Sequence, residues 1–272
     1  QILELYGLDK PVYMQYLSFI RGVLSGNLGP SFAFFPTPTI DLIRNSISWT
    51  VLLLGFSTVL SWIIGNVIGV LAAVFSRSRI SKALEWIAMG LYPVPYVILA
   101  ILLFLFFSLV IPMYRGVGGA GMLMPSLSVS YIVEVLTRLS IPALSIILGS
   151  SASWFLSMKA LALSVKEEDF VSYAIIRGLG RKVVTKYVMR HSLLPQITSL
   201  ALSLGYIFNG ALVTEYIFAY PGLGRLLYQA ITNSDYNLML GILSYSIMGV
   251  ALAAFVLDLI YPLIDPRIRY GG

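Results

Sequence analysis

The side chains that most often carry chemistry are nearly missing from this chain. Among its 272 residues there is one histidine, His191, and no cysteine. Disulfides, zinc–thiolate sites and cysteine nucleophiles are therefore excluded. His191 has no second histidine, cysteine or nearby acidic cluster with which to share a metal ion or a proton, so a structural role at an interface is expected. The dipeptide Gly-Lys does not occur, which rules out a Walker-type phosphate loop. Nucleotide would have to be bound by another subunit. No nucleophile–base–acid set is visible, and intrinsic enzymatic activity is not expected.

The spacing that does suggest work lies between Lys166 and Pro195, the longest interruption between apolar segments. Glu167, Glu168 and Asp169 precede an apolar-periodic run, where acids complement the positive end of a helix dipole. Phe170, Tyr173 and Ala174 offer one face of a short helix. Gly178, Leu179 and Gly180 stop it, since glycine permits the left-handed conformation that helix ends favour. A second short helix is predicted next, with Val183, Val184, Tyr187 and Val188 on its apolar side and Arg181, Lys182, Lys186 and Arg190 on its basic side. Pro195 suits the first turn of the following helix, where its missing donor costs little. Two readings of this knob stand: a docking element for another protein, or an interfacial helix pair drawn to anionic lipid.

The elements that position this knob must cross a membrane. The chain is 58% hydrophobic and 11% charged, against about 25% charged in a soluble domain. A spanning helix needs about 20 mostly apolar residues. Five spans are predicted: Ile47–Phe75, Ala83–Ile111, Leu139–Val165, Leu193–Phe218 and Leu238–Ile264. Continuous rather than alternating apolar runs argue against a β-barrel. The expected fold is an all-α polytopic bundle, with residues 1–46 as an extracytoplasmic loop carrying short helices and 47–272 as the membrane domain.

Charge sets the orientation. Arg77, Arg79 and Lys82, the cluster from Lys159 to Arg190, and Arg267 and Arg269 put twelve of the 18 basic residues on one side. That side is read as cytosolic, with Gly272 inside and Gln1 outside. The remaining six are Lys10, Arg21, Arg44, Arg115, Arg138 and Arg225. Residues 1–32 hold no signal-peptide pattern, so a further spanning helix is expected before Gln1; the alternative is a five-span protein inserted by its first visible helix.

Within lipid, helices associate through close backbone approach and polar contacts. Ser61, Gly65 and Gly69 in the first span, and Ser145, Gly149, Ser153 and Ser157 in the third, recur every four residues; Gly249 and Ala253 repeat the theme. Bundle packing or a solute path would both use such faces. Pro93 and Pro95 predict a kink in the second span. Asn66 and Asn209 could face a path or bond between helices. Glu85 and Asp258 sit toward the cytosolic ends, within reach of water or a basic partner. Buried acids of the kind a proton-driven carrier needs near the midplane are absent from the sequence pattern.

Several motifs resemble one family. Ser172-Tyr173-Ala174, Gly178 and Leu194-Pro195 resemble the cytosolic "EAA…G…LP" loop of the permease subunits of binding-protein-dependent ABC importers. The run Glu215-Tyr216-Ile217-Phe218-Ala219-Tyr220-Pro221-Gly222-Leu223-Gly224 resembles the E-x-I-F-x-x-P-G-L-G signature of their dipeptide/oligopeptide class. Asp265 to Tyr270 resembles that class's ending, and Gly7 to Pro11 with Gly26 to Gly29 its first external loop. Two departures are visible: Ser172 stands where the family has an acid, and the spacing from Gly178 to Pro195 is longer than the general pattern.

The resemblance implies a type I importer permease of six spans. It implies that Ser172, Tyr173, Ala174, Gly178, Leu179 and Gly180 form an ATPase-coupling helix, and that Glu215, Phe218, Pro221, Gly222 and Gly224 form an external turn. The role expected for that turn is structural, with glycine supplying unusual backbone angles. The partners implied are a homologous second permease, two ATP-binding cassette ATPases, an extracytoplasmic binding protein and membrane lipid, with no nucleic acid. ATP and Mg would be held by the ATPase, leaving no cofactor in this chain. Peptide cargo is the first expectation, in a prokaryotic plasma or inner membrane. Oligosaccharide or nickel cargo, and a structural or lipid-interacting bundle without transport, are the alternatives.

Overall fold

The computed structural model describes residues 10–111, 128–205 and 212–264. Among these residues ten α-helices follow in order, and the sole β feature is a bridge between Pro30 and Pro38. Outside the described residues lie Arg115, Asn209, Gly7 to Asp9 and the ending from Asp265 to Tyr270, and with them what the sequence suggested for those positions.

The bundle is built on two long helices, α2 (Thr39–Val74) and α5 (Val129–Lys166), of 36 and 38 residues. At 1.5 Å per residue each runs for more than about 50 Å, well beyond a bilayer core. Both begin earlier than the apolar runs predict, α2 by eight residues and α5 by ten. Polar residues at these starts are accommodated within the helix: Arg138 pairs with Glu134 one turn before it. The two helices run parallel. Gly65 and Gly69 of α2 meet α5 so closely that a Cβ at Gly65 would lie 2.4 Å from Trp154 Cβ, and one at Gly69 2.8 Å from the Phe155 carbonyl. The small-residue face predicted on the first span is thus a packing face. On α5 the facing positions are Ser151, Trp154, Phe155 and Met158 rather than the expected serine stripe; Gly149 faces Tyr96 instead.

The second predicted span is broken rather than kinked. Helix α3 (Arg79–Leu91) and helix α4 (Tyr96–Leu105), extended by a π turn over Phe106–Val110, diverge by 97°. Pro93 and Pro95 fall in a four-residue gap, and two prolines in such a gap remove the donors that would bridge it. At its start α3 is capped by Ser78, which accepts from the Ser81 amide (3.0 Å), and Ser81 Oγ donates to the Ala72 carbonyl at the end of α2 (2.8 Å).

Helix α6 (Asp169–Ile176) is followed after Gly178 by α7 (Arg181–Gly205), one unbroken 25-residue helix. The expected second short helix and the new start at Pro195 are corrected here: Pro195 lies inside α7. Residues on both sides of it are held by other helices, which fixes the helix through the lost donor. Then come α8 (Leu212–Ile217), α9 (Leu223–Thr232) and α10 (Tyr236–Ile264). Among the described residues three helices are long and apolar enough to cross a membrane: α2, α5 and α10 over Tyr236–Val256. The α3–α4 pair makes a fourth if taken as one broken span. Helix α7 does not join them, because its first half carries four basic residues and the fourth predicted span continues past Gly205 outside the described residues.

Candidate functional site

Two structures stand out at opposite ends of the bundle. The first is the Glu215 turn. A helix leaves its first amides without intrahelical partners, and α9 has them satisfied by two other helices. Glu215 of α8 is fully buried. Its Oε2 accepts from the Gly224 amide (2.6 Å) and the Arg225 amide (3.3 Å), and its Oε1 from Thr50 Oγ1 of α2 (2.7 Å). Thr50 in turn accepts from the Leu223 amide at 2.7 Å. All of the carboxylate's partners are donors, the set a carboxylate accepts. Charge-assisted bonds of this kind are worth about 1.5–3 kcal/mol each.

The glycines of this turn serve close approach. Gly222 has φ −93° and ψ 178°, ordinary extended backbone, and the positive φ of the turn belongs to Ala219 at 44°. The expectation that glycine supplies unusual angles here is therefore corrected. A Cβ at Gly222 would stand 2.3 Å from Glu215 Oε2, and one at Gly224 2.4 Å from Leu212 Cα. Phe218 is buried with Ala100 and Ile141 and packs edge-on against Phe104. Tyr220 packs edge-on against Trp49 of α2. The structure thus brings Glu215, Phe218, Gly222 and Gly224 together, with Pro221 half-buried beside them. Thr50 was not singled out from sequence; a threonine within an apolar run was its one signal.

The second structure is the knob. Gly178 takes φ +77°, the left-handed stop predicted for it, while Gly180 has an ordinary φ and open space around it. Val171 and Ala174 turn inward, and Val171 packs with Val188 of α7 against Val70, Ala73, Met158 and Ala162. The predicted face of Phe170, Tyr173 and Ala174 is corrected accordingly. Ala174 is buried, whereas Ser172, Tyr173 and Ile176 share the outward face, with Tyr173 66% and Ile176 80% exposed. Leu179 is exposed beside them. A short helix shows one face to its own core, and here Val171 rather than Phe170 carries it. Phe170 stacks on His191 at 4.5 Å between ring centres, and His191 Nδ1 lies 2.9 Å from the Tyr187 carbonyl oxygen. The lone histidine therefore ties α6 to α7.

The knob is bolted to the bundle. Trp62 Nε1 of α2 donates to the Gln196 carbonyl (3.0 Å), and buried Gln196 donates through Nε2 to Ser157 Oγ of α5 (2.8 Å). Asn66 donates to the Trp62 carbonyl within its own helix. Near the same end Lys159 of α5, 6% exposed, pairs with Glu85 of α3 at 2.7 Å; of the two surroundings expected for Glu85, water or a basic partner, it has the second. Asp258's side chain lies outside what the structure describes. Gln196 and the pairing role of Lys159 carry no signal in single-sequence periodicity.

A groove of about 620 Å³ opens between α2 and α10, lined by Ile40, Ile43, Arg44, Met248, Leu252 and Phe255 among others. Its apolar wall suits hydrocarbon rather than a polar solute.

The described residues form an all-helical bundle with a knob keyed to its long helices, three of them apolar enough to span a membrane, which is the architecture of a polytopic membrane protein. Residues 65–270 match the family of binding-protein-dependent transport system inner membrane components, and the chain belongs to that family. It is 30% identical over 264 residues to a peptide permease protein of Brucella suis biovar 1 (strain 1330), covering 97% of this chain and 82% of that one. It is 28% identical to the oligopeptide transport system permease protein AppB of Bacillus subtilis (99% and 84% covered) and 27% to OppB of Escherichia coli K12 (97% and 83%). The family is one of transport components rather than catalysts.

Proposed function

We propose that this chain is one permease half of an ATP-driven importer for peptides. A homologous permease would complete the path, two separate ATPases would bind ATP and Mg, and an extracytoplasmic binding protein would deliver the cargo. The peptide assignment leans on the relatives named peptide and oligopeptide permeases. Charge counting supports the orientation, with the knob and Gly272 cytosolic and the Glu215 turn outside.

The observation that carries the coupling role is the pairing of an exposed face with a buried one on the eight-residue α6. Ser172, Tyr173 and Ile176 face outward, while Val171 and Ala174 lock the knob to α2, α5 and α7. A partner that moves the outward face moves three long helices, because no slack linker intervenes. Gly178 sets the angle between α6 and α7, and the unbroken α7 carries displacement into the bundle. The Glu215 turn at the far end ties α2, α8 and α9 into one rigid unit and takes no part in cargo contact.

Binding measurements on the partner binding protein test the cargo. Peptide affinity is expected; tight binding of an oligosaccharide or nickel without peptide would overturn it.

A further inference from the structure

Helix α1 (Val12–Ser25) is packed on one side only. Gly22 and Val23 are buried, and a Cβ at Gly22 would lie 2.7 Å from the Asn27 carbonyl. From there the chain runs along α10. Tyr245 donates its hydroxyl to the Val23 carbonyl (3.0 Å), a Cβ at Gly241 would lie 2.7 Å from Leu28 Cδ1, and Asn237 Nδ2 reaches the Pro30 carbonyl (3.4 Å).

Asn237, Gly241 and Tyr245 follow one another at intervals of four on one face of α10. Residues 30, 28 and 23 therefore step along that face over about 12 Å of helix rise. Even with the Tyr245 side chain leaning back toward the start of α10, the end of α1 lies beside the spanning helix and not beyond it. A bilayer core is about 30 Å thick, so this level belongs to the lipid boundary rather than to open water.

The rest of α1 fits that level. At about 100° per residue, Tyr13, Tyr16, Leu17, Ile20 and Leu24 fall in one sector, and Leu17 and Leu24 are 62% and 75% exposed. Ser18, Arg21 and Ser25 occupy the next sector, joined by Met14 in the first turn, and all four are exposed. A packed face, an unpartnered apolar face and a polar face thus follow one another around the helix. Two tyrosines on the apolar sector match the ring type that gathers at membrane interfaces. Helix α10 also exposes large apolar side chains along this part of its length, Leu240, Leu243 and Ile247.

We propose that α1 is an interfacial membrane helix, its Tyr16–Leu17–Leu24 sector embedded at the headgroup–acyl boundary beside the start of α10 and Arg21 turned to the headgroups. It anchors the loop over residues 28–38, which buried Asp235 clamps by accepting from Ser31 Oγ and from the Ala33 amide (3.0 Å). The inference rests on the chain spanning a membrane and not on its cargo or partners.

These 272 residues contain no cysteine to compete with an introduced one. Single variants Leu17→Cys, Ile20→Cys and Leu24→Cys, and Ser18→Cys, Arg21→Cys and Ser25→Cys, are spin-labelled in the full-length protein as it purifies. They are then placed in vesicles of phosphatidylethanolamine and phosphatidylglycerol. Oxygen collisions relative to those of a water-soluble nickel chelate should be severalfold higher on the first set. Equal chelate access on both sets, meaning a water-exposed helix, would overturn the proposal. So would a first set shielded from both colliders, meaning a protein partner.

Discussion

The carboxylate of Glu215 occupies the space that a side chain on Gly222 would need: a Cβ there would stand 2.3 Å from Oε2 and 2.4 Å from the carboxyl carbon. The two residues are seven apart in sequence and belong to one construction, in which a buried acid caps α9 and the residue before that helix must stay bare. A flexible side-chain tip could swing away from such an overlap. This one is held by three hydrogen bonds and cannot.

Gly222→Ala should therefore destabilise the protein by about 2 kcal/mol, the usual range for forcing an extra carbon into a packed site. Gly224→Ala should do the same, because its neighbour is the Leu212 backbone. Thermal unfolding in detergent checks both, with Gly90→Ala, which has open space around it, as the neutral control.

Glu215→Gln is not conservative here. The Gln amide can keep its oxygen on the Gly224 and Arg225 amides and donate its N–H to Thr50 Oγ1, but the Thr50 hydroxyl then loses its acceptor and the two backbone bonds lose their charge assistance. Destabilisation of about 2 kcal/mol or more is expected. Thr50→Val, which leaves the Leu223 amide and Glu215 Oε1 each short of one bond, should cost less. The same unfolding measurement ranks them.

Lys159 and Glu85 should respond unequally to mutation. Lys159 is 6% exposed and Glu85 35%, so removing the acid strands a buried cation, while removing the lysine leaves a carboxylate that reaches water. Glu85→Gln should cost about 3 kcal/mol and Lys159→Met distinctly less. The double variant should recover much of the loss, as a double-mutant cycle would read.

Much of the plan was legible in the sequence because membrane helices declare themselves by continuous apolar runs. Helices α2, α5 and α10 cover the first, third and last predicted spans, Ile47–Phe75, Leu139–Val165 and Leu238–Ile264, though α2 and α5 start well before them, and Gly178 stops α6 as read. The failures share a cause: hydropathy marks where lipid lies, not where a helix begins or bends. Helix α5 runs on past Arg138 because a paired charge does not end a helix. Helix α7 continues through Pro195 because Trp62 and Ser157 hold Gln196 in place. The signature at Glu215–Gly224 was visible as a motif, but its reason was not. Thr50 lies 165 positions from Glu215, and no periodicity connects them.

The knob's two glycines separate backbone strain from contact. Gly178→Ala places a Cβ on a residue at φ +77°, with nothing within 4 Å to clash. Its cost is backbone strain alone, about 1–2 kcal/mol. Gly180→Ala, with an ordinary φ and equally open space, should be within about 0.5 kcal/mol of neutral. Unfolding of the two variants side by side checks this.

The coupling role of the outward face of α6 is tested most directly by substituting that face without touching the buried one. Tyr173→Glu and Ile176→Glu alter exposed side chains, so the chain should still insert and unfold at an unchanged temperature. Co-purification of the ATPase subunits with the full-length permease is then measured. The account predicts that both variants lose the ATPase while Lys182→Glu, on the basic side of α7, retains more of it. ATPase recovered at the unsubstituted level with Tyr173→Glu and Ile176→Glu would contradict it.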